Sequence, residues 1–203
     1  MHDVISKEDA LRILGHHLDD IITVVTAGWT DWKGVQQEAP RWALRKSART
    51  RASWVNDAMA EKAREVFADK PGVHMTEKRG FITLTFENTL ILRFKKFRGK
   101  RLRTSGIPTQ QRLDFENQQV AIEGITVTSI VAGYLLDRLE LEQERLAITC
   151  PLGGENLWVI ELEIPGGEVR NVTFGPPAAP STPGVVVESA TAGQEEEQAN
   201  QED

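Results

Sequence analysis

From Ser6 the chain reads SKEDALRILGHHLDDIITVV, with Leu11, Leu14, Leu18, Ile21, Ile22 and Val25 recurring every three or four positions. That spacing predicts an amphipathic helix, opened by Ser6 with Asp9 near the third position of a capping box. The stretch GWTDWKG, residues 28–34, is expected to break this helix, and Pro40 to interrupt the chain again shortly after. A second helix is predicted over about 49–68, where Trp54, Val55, Ala58, Met59, Ala63, Val66 and Phe67 form the apolar stripe. DKPG, residues 69–72, ends it.

The period then changes from helical to alternating. GFITLTFENTLILRFKKF reads as two strands around a turn at Glu87 and Asn88. Thr109 precedes QQRLDFENQQ, a short amide-rich helix with Leu113 and Phe115 as its apolar residues. ITVTSIVAGYLLD, RLAITC and LWVIELEI are β-branched runs separated by turns, which together predict an antiparallel meander. The expected fold is therefore α+β, with N-terminal helices followed by a mainly antiparallel sheet that one short helix interrupts. A single domain is expected over 1–170, with 1–40 as a helical N-terminal extension. From residue 171 the chain is rich in proline, small residues and terminal acid, a composition that cannot bury enough apolar surface to offset ordering entropy. Residues 171–203 are accordingly expected to be a disordered tail.

With 203 residues, 40% of them hydrophobic, the chain can build an ordinary core. No apolar run approaches a membrane span and the N-terminus lacks a secretory pattern, so a cytoplasmic protein without a membrane contact is expected. NVT at Asn171 is then a chance sequon. Cys150, the single cysteine, excludes an internal disulfide and a multi-cysteine zinc site, and its strand-like setting favours a buried thiol over a nucleophile.

Charge is distributed unevenly. Against a total of -6, residues 1–40 carry -4, 41–103 carry +11, 104–170 carry -7 and 171–203 carry -6. Within the positive segment, residues 93–103 hold seven Lys or Arg: Arg93, Lys95, Lys96, Arg98, Lys100, Arg101 and Arg103. Strand alternation puts Arg93, Lys95 and Phe97 on one face and Phe94, Lys96 and Arg98 on the other. These residues, with Gln110 and Gln111 as amide contacts, are the candidate surface for nucleic acid or an acidic protein partner, and Phe94 and Phe97 are candidates to stack on bases. The competing reading pairs the same cations with the acidic 104–170 segment. RWALRKSARTR, residues 41–51, is a second basic cluster. If it is helical, Arg41, Arg45 and Arg49 share a face; otherwise arginine stems cover Trp42 and Leu44.

Candidate catalytic chemistry is sparse. His17 and Asp20 stand one turn apart, beside His16 and Asp19, but two ligands make no metal site, and His74 is isolated. No HExxH, GxSxG, GxxxxGK or GxGxxG occurs, so no catalytic residue, metal or cofactor is assigned. The order helix, strand, strand ending in lysine, then a Gln-rich helix resembles the core of restriction-type nucleases of the PD-(D/E)xK class. Here Arg93 takes the place of the acid expected before Lys95, leaving Glu87 or Glu61 to supply a carboxylate.

Taken together, RFKKF, TQQRLDFENQQ, VAGYLLD and LWVIELEI resemble a family of small uncharacterised bacterial proteins of prophage-type operons. Members are often encoded beside a helix-turn-helix protein carrying an ImmA-type zinc-peptidase domain, as in a toxin–antitoxin pair. The similarity covers roughly residues 51–164 and implies a partner and a setting, with no catalytic residue carried over. The resulting expectation is a non-catalytic binding or effector component of a two-protein module. The alternatives are a divergent metal-dependent nuclease and a scaffold with internally paired charges. Partner identity and oligomeric state stay open.

Overall fold

The computed structural model describes residues 4–78, 81–104, 109–122 and 125–165. Helix α1 (Lys7–Leu14) begins where Ser6 accepts from the Asp9 N–H at 3.1 Å. A 3-10 turn at Gly15–His17 leads into α2 (Leu18–Glu38), followed by the one-turn α3 (Pro40–Ala43) and by α4 (Ala48–Phe67), capped by Ser47. Strands β1 (Val73–Lys78), β2 (Phe81–Phe86), β3 (Leu90–Arg98) and β4 (Arg103–Thr104) come next, then α5 (Gln110–Glu116) under its Thr109 cap. The ribbon β5 (Ala121–Ile122) and β6 (Ile125–Thr126) precedes β7 (Thr128–Leu136), β8 (Gln143–Leu152) and β9 (Glu155–Leu162).

The sheet runs β1-β2-β3-β7-β8-β9, with β4 added beside β3. Its pairings are antiparallel except at β3–β7, which is parallel from Leu90↔Thr128 to Lys96↔Tyr134. Two antiparallel meanders are thus joined side by side, and the chain between them must cross over one face. The fold is α+β, with N-terminal helices and a mainly antiparallel sheet interrupted by a short helix. The β2–β3 turn falls at Glu87 and Asn88, both left-handed (φ 48° and 52°), which suits the twist of a tight hairpin.

Alternation sorts the strands into two cores. Ile82, Leu84, Phe86, Leu90, Leu92, Phe94, Ile130, Ala132, Tyr134, Leu146, Ile148 and Cys150 face α1, α2 and α4. On the opposite face Ile91, Phe97, Val131 and Ala147 meet Phe115 of α5 together with Leu102, Val120 and Ile122. Residues 7–38, within the expected N-terminal extension, supply Ala10, Leu14, Ile21, Val24, Val25, Trp29 and Trp32 to the first core.

The expected break at 28–34 does not occur. Gly28 lies inside α2 where α4 crosses, and a Cβ there would sit 2.6 Å from both the Val55 carbonyl oxygen and Met59 Cγ. The glycine is a point of close helix approach, and the apolar stripe therefore continues through Trp29 and Trp32. β1 has no counterpart among the expected strands, because its alternation, with Val73 and Met75 inward and His74 and Thr76 outward, spans only four residues. Among the described residues no helix is long and apolar enough to cross a membrane. The disordered tail expected over 171–203 lies outside the described residues.

A buried amide fastens β7 to β8. Gln118 donates to the carbonyls of Ser129 (2.9 Å) and Pro151 (2.7 Å) and accepts from the Ser129 N–H (2.7 Å). Its Nε2 also lies 3.5 Å from the Cys150 sulfur. Burial pushes the Cys150 thiol up to about 12, in keeping with a core thiol and against a nucleophile.

This packing leads to two expected outcomes. A Cβ at Gly133 would lie 1.9 Å from the Lys95 carbonyl oxygen, so Gly133→Ala must spread the β3–β7 pairing. Denaturant titration should show a loss of about 3 kcal/mol or failure to fold. For Cys150, the unfolded thiol ionises near 9.0 while the folded one keeps its proton to about 12. Between these values the unfolded chain binds fewer protons, so stability falls as pH rises. From pH 9 to 10.5, wild type should lose up to about 1.4 kcal/mol per pH unit more steeply than Cys150→Ala in denaturation curves taken at each pH.

Candidate anion-binding site

The basic run from Arg93 to Arg103 is divided by the geometry of the sheet. Arg93 and Lys95 point from β3 to the α5 side, each only partly exposed. Arg93 stacks its guanidinium 4.3 Å from the centroid of Phe115, and the Lys95 ammonium lies 4.9 Å over Phe81. Neither makes an ion pair among the described residues. Burial lowers the pKa of both, and for Lys95 the neighbouring Arg93 and Arg112 lower it further.

These two side chains line a cavity of about 480 Å³. Its other charged residues are Lys78, Arg112 and Glu116. Thr83, Thr104, Thr109, Asn56 and Gln111 add hydroxyl and amide groups, and Phe81 and Phe115 add apolar wall. Thr109 starts α5 by accepting from the Arg112 N–H (3.3 Å), which aims the helix so that Arg112, Phe115 and Glu116 face the strand. Arg112 is fixed by Glu116 (2.8 Å) and by the Thr104 carbonyl (3.1 Å), while Thr104 donates to Glu116. The single carboxylate of the lining is therefore already engaged, and four cations surround it.

The remaining basic residues lie elsewhere. Lys96, on the opposite strand face, joins Arg51 on Glu140, and these partners hold the Glu140 carboxyl below its usual range. Arg101 and Arg103 share Glu155 at the start of β9 and depress its pKa likewise. Arg98 and Lys100 are exposed without an ion pair among the described residues. Gln110 donates to Asp114 (2.6 Å) on the outer side of α5, whereas Gln111 lines the cavity. Residues 93–103 thus divide among four local environments and are not one continuous surface.

Several expectations are corrected. Phe97 is fully buried under α5 and cannot stack on bases, and Phe94 belongs to the helix-side core, reaching the cavity wall only at its edge. The aromatic rings beside the cations are Phe81 and Phe115, which no spacing argument linked to Lys95. Arg41, Arg45 and Arg49 share no helix, because α3 ends at Ala43 and α4 begins at Ala48. Trp42 packs against Trp54 and Trp32 under Lys46, while Leu44 stays 85% exposed. For the nuclease pattern, Glu87 sits at the β2–β3 turn, roughly 16 Å of strand from Lys95. Glu61 is an exposed residue of α4, the helix whose Asn56 and Ala60 reach the cavity wall, and does not itself line the cavity. His17 and Asp20 approach to 3.8 Å, and no group of three His, Cys, Asp or Glu able to hold a metal ion occurs among the described residues.

Compared with known protein families, with curated proteins and with solved structures, the chain matches none.

A cation held partly buried without a carboxylate costs stability. Lys95→Met keeps the contact with Phe81 and removes the charge. Urea denaturation should find the variant more stable by about 1 kcal/mol. A variant destabilised by a similar amount would show that the ammonium serves the fold.

Proposed function

We propose that this chain is a non-catalytic binding protein that contacts nucleic acid phosphates through the cavity between β3 and α5. The observation that carries this reading is the pair Arg93 and Lys95, partly desolvated, stacked on aromatic rings and without an ion pair among the described residues. Unmatched cations in a concave site attract anions, and the aromatic wall suits the flat apolar surface of an unpaired base. The resemblance adds a setting: a cytoplasmic component of a prophage-borne, toxin–antitoxin-like module partnered by a helix-turn-helix protein with a zinc-peptidase domain.

A second reading has its own support. Lys96 on Glu140, and Arg101 with Arg103 on Glu155, join the basic segment to the acidic 104–170 region, as a scaffold with internally paired charges requires. The exposed Arg101 and Arg103 pairs contribute little each and weaken with salt, while the partly buried Lys96 pair is screened less. They account for Lys96, Arg101 and Arg103 but leave Arg93 and Lys95 unexplained.

The two readings separate in one titration. The full chain is mixed with random-sequence single-stranded DNA and RNA across a salt series. The binding reading expects log affinity to fall linearly with log salt, with a slope of about -2 for three phosphates. Charge reversal at Lys78 and Lys95, which both line the cavity, should weaken binding at least tenfold by adding repulsion at two contacts. The absence of binding at low salt, or binding indifferent to those reversals in a folded protein, would leave the scaffold reading.

A further inference from the structure

Resting on the nucleic-acid reading, the geometry points to a more specific ligand: we infer that the β3–α5 cavity receives one phosphate-bearing nucleotide. Its sources are the terminus of a single strand or a free mononucleotide. The interior of a duplex is excluded by size. A cavity of about 480 Å³ is in the range of small-molecule pockets and holds one nucleotide, whereas a double helix presents only its outer phosphates.

The charge arrangement suits one phosphate more closely than a long backbone. Arg93 and Lys95 leave β3 two residues apart on the same face, and Arg112 approaches from α5. The charges of Arg93 and Lys95 meet that of Lys78 in one space, where Glu116 holds Arg112, while Lys96 is turned to the other side of the sheet and Arg101 and Arg103 are occupied by Glu155. A terminal phosphate carries more negative charge and more free oxygens than a phosphate within a strand, so it gains most from converging donors. Arg112 is already braced by Glu116 and the Thr104 carbonyl, which fixes the direction of its guanidinium before any ligand arrives.

The rest of the nucleotide has a surface to meet. Phe81 is 55% exposed at the cavity wall, so part of its ring is open to a ligand. One side of it faces Lys95, and a base can lie against the remaining ring surface. Thr83, Thr109 and Gln111 supply hydrogen-bonding groups around it without a fixed donor or acceptor pattern, which suits tolerance of base identity.

The test uses the full chain and fluorescent ten-nucleotide single strands that carry a 5′ phosphate, a 3′ phosphate or neither. AMP and inorganic phosphate serve as competitors. A phosphate at one end should tighten binding by about tenfold. AMP should compete better than inorganic phosphate, and Lys95→Met should abolish the end preference while the protein melts no lower than wild type. Phe81→Ala, at an exposed position, should weaken AMP more than inorganic phosphate. If strands bind with no preference for a terminal phosphate, or the preference survives Lys95→Met, the inference is overturned while the wider nucleic-acid reading stands. If AMP binds in a Lys95-dependent manner and strands do not, the pocket stands with the free nucleotide as its ligand and the wider reading fails. If neither binds, both fail.

Discussion

The parallel pairing of β3 with β7 is the constraint on which the rest depends. It joins two meanders that would each have an exposed edge alone, and it obliges the chain to travel from Arg98 to Thr128 across one sheet face. That crossover carries β4, α5 and the β5–β6 ribbon, whose Leu102, Phe115, Val120 and Ile122 cover the sheet opposite the long helices. Gly133 permits the pairing at its tightest point, where the Lys95 carbonyl leaves no room for a Cβ. The same rung thus sets the sheet register and the place of Lys95.

The cavity is a consequence of this crossover. The lid that covers Ile91 and Ala147 reaches Arg93 through Phe115 and leaves Lys95 partly buried beside Phe81. A purely structural sheet would place apolar or small polar residues there, as it does at the neighbouring Thr83. Keeping two cations in a partly desolvated position without carboxylates sacrifices stability, and such sites are where function is expected to override packing. By contrast, the outer cations of the same run are neutralised by Glu140 and Glu155, so proximity in sequence did not make them one surface.

Much of the fold was legible because its signals are local. Ser6 and Thr109 cap helices, Glu87 and Asn88 form the hairpin turn, and the alternation of Leu90, Leu92 and Phe94 marks one buried strand face. What could not be read depends on contacts distant in sequence. Gly28 looks like a helix breaker until Val55 and Met59 are placed against it, and parallel pairing leaves no short-range signature. For the site, alternation correctly grouped Arg93 with Lys95. It could not show that Phe97, on the same parity, would be buried, that Phe81 and Phe115 would flank the cations, or that Glu155 would claim Arg101 and Arg103.

The central claim is that Lys95 is a charge kept in reserve for an anion. Its ammonium can be followed directly by nitrogen-detected NMR of the lysine side chains during a pH titration, with and without a 5′-phosphorylated single strand. In the free protein Lys95 should lose its proton at a lower pH than the exposed lysines, and the added strand should shift that titration upward. A Lys95 that titrates with the exposed lysines and ignores the strand would contradict the account.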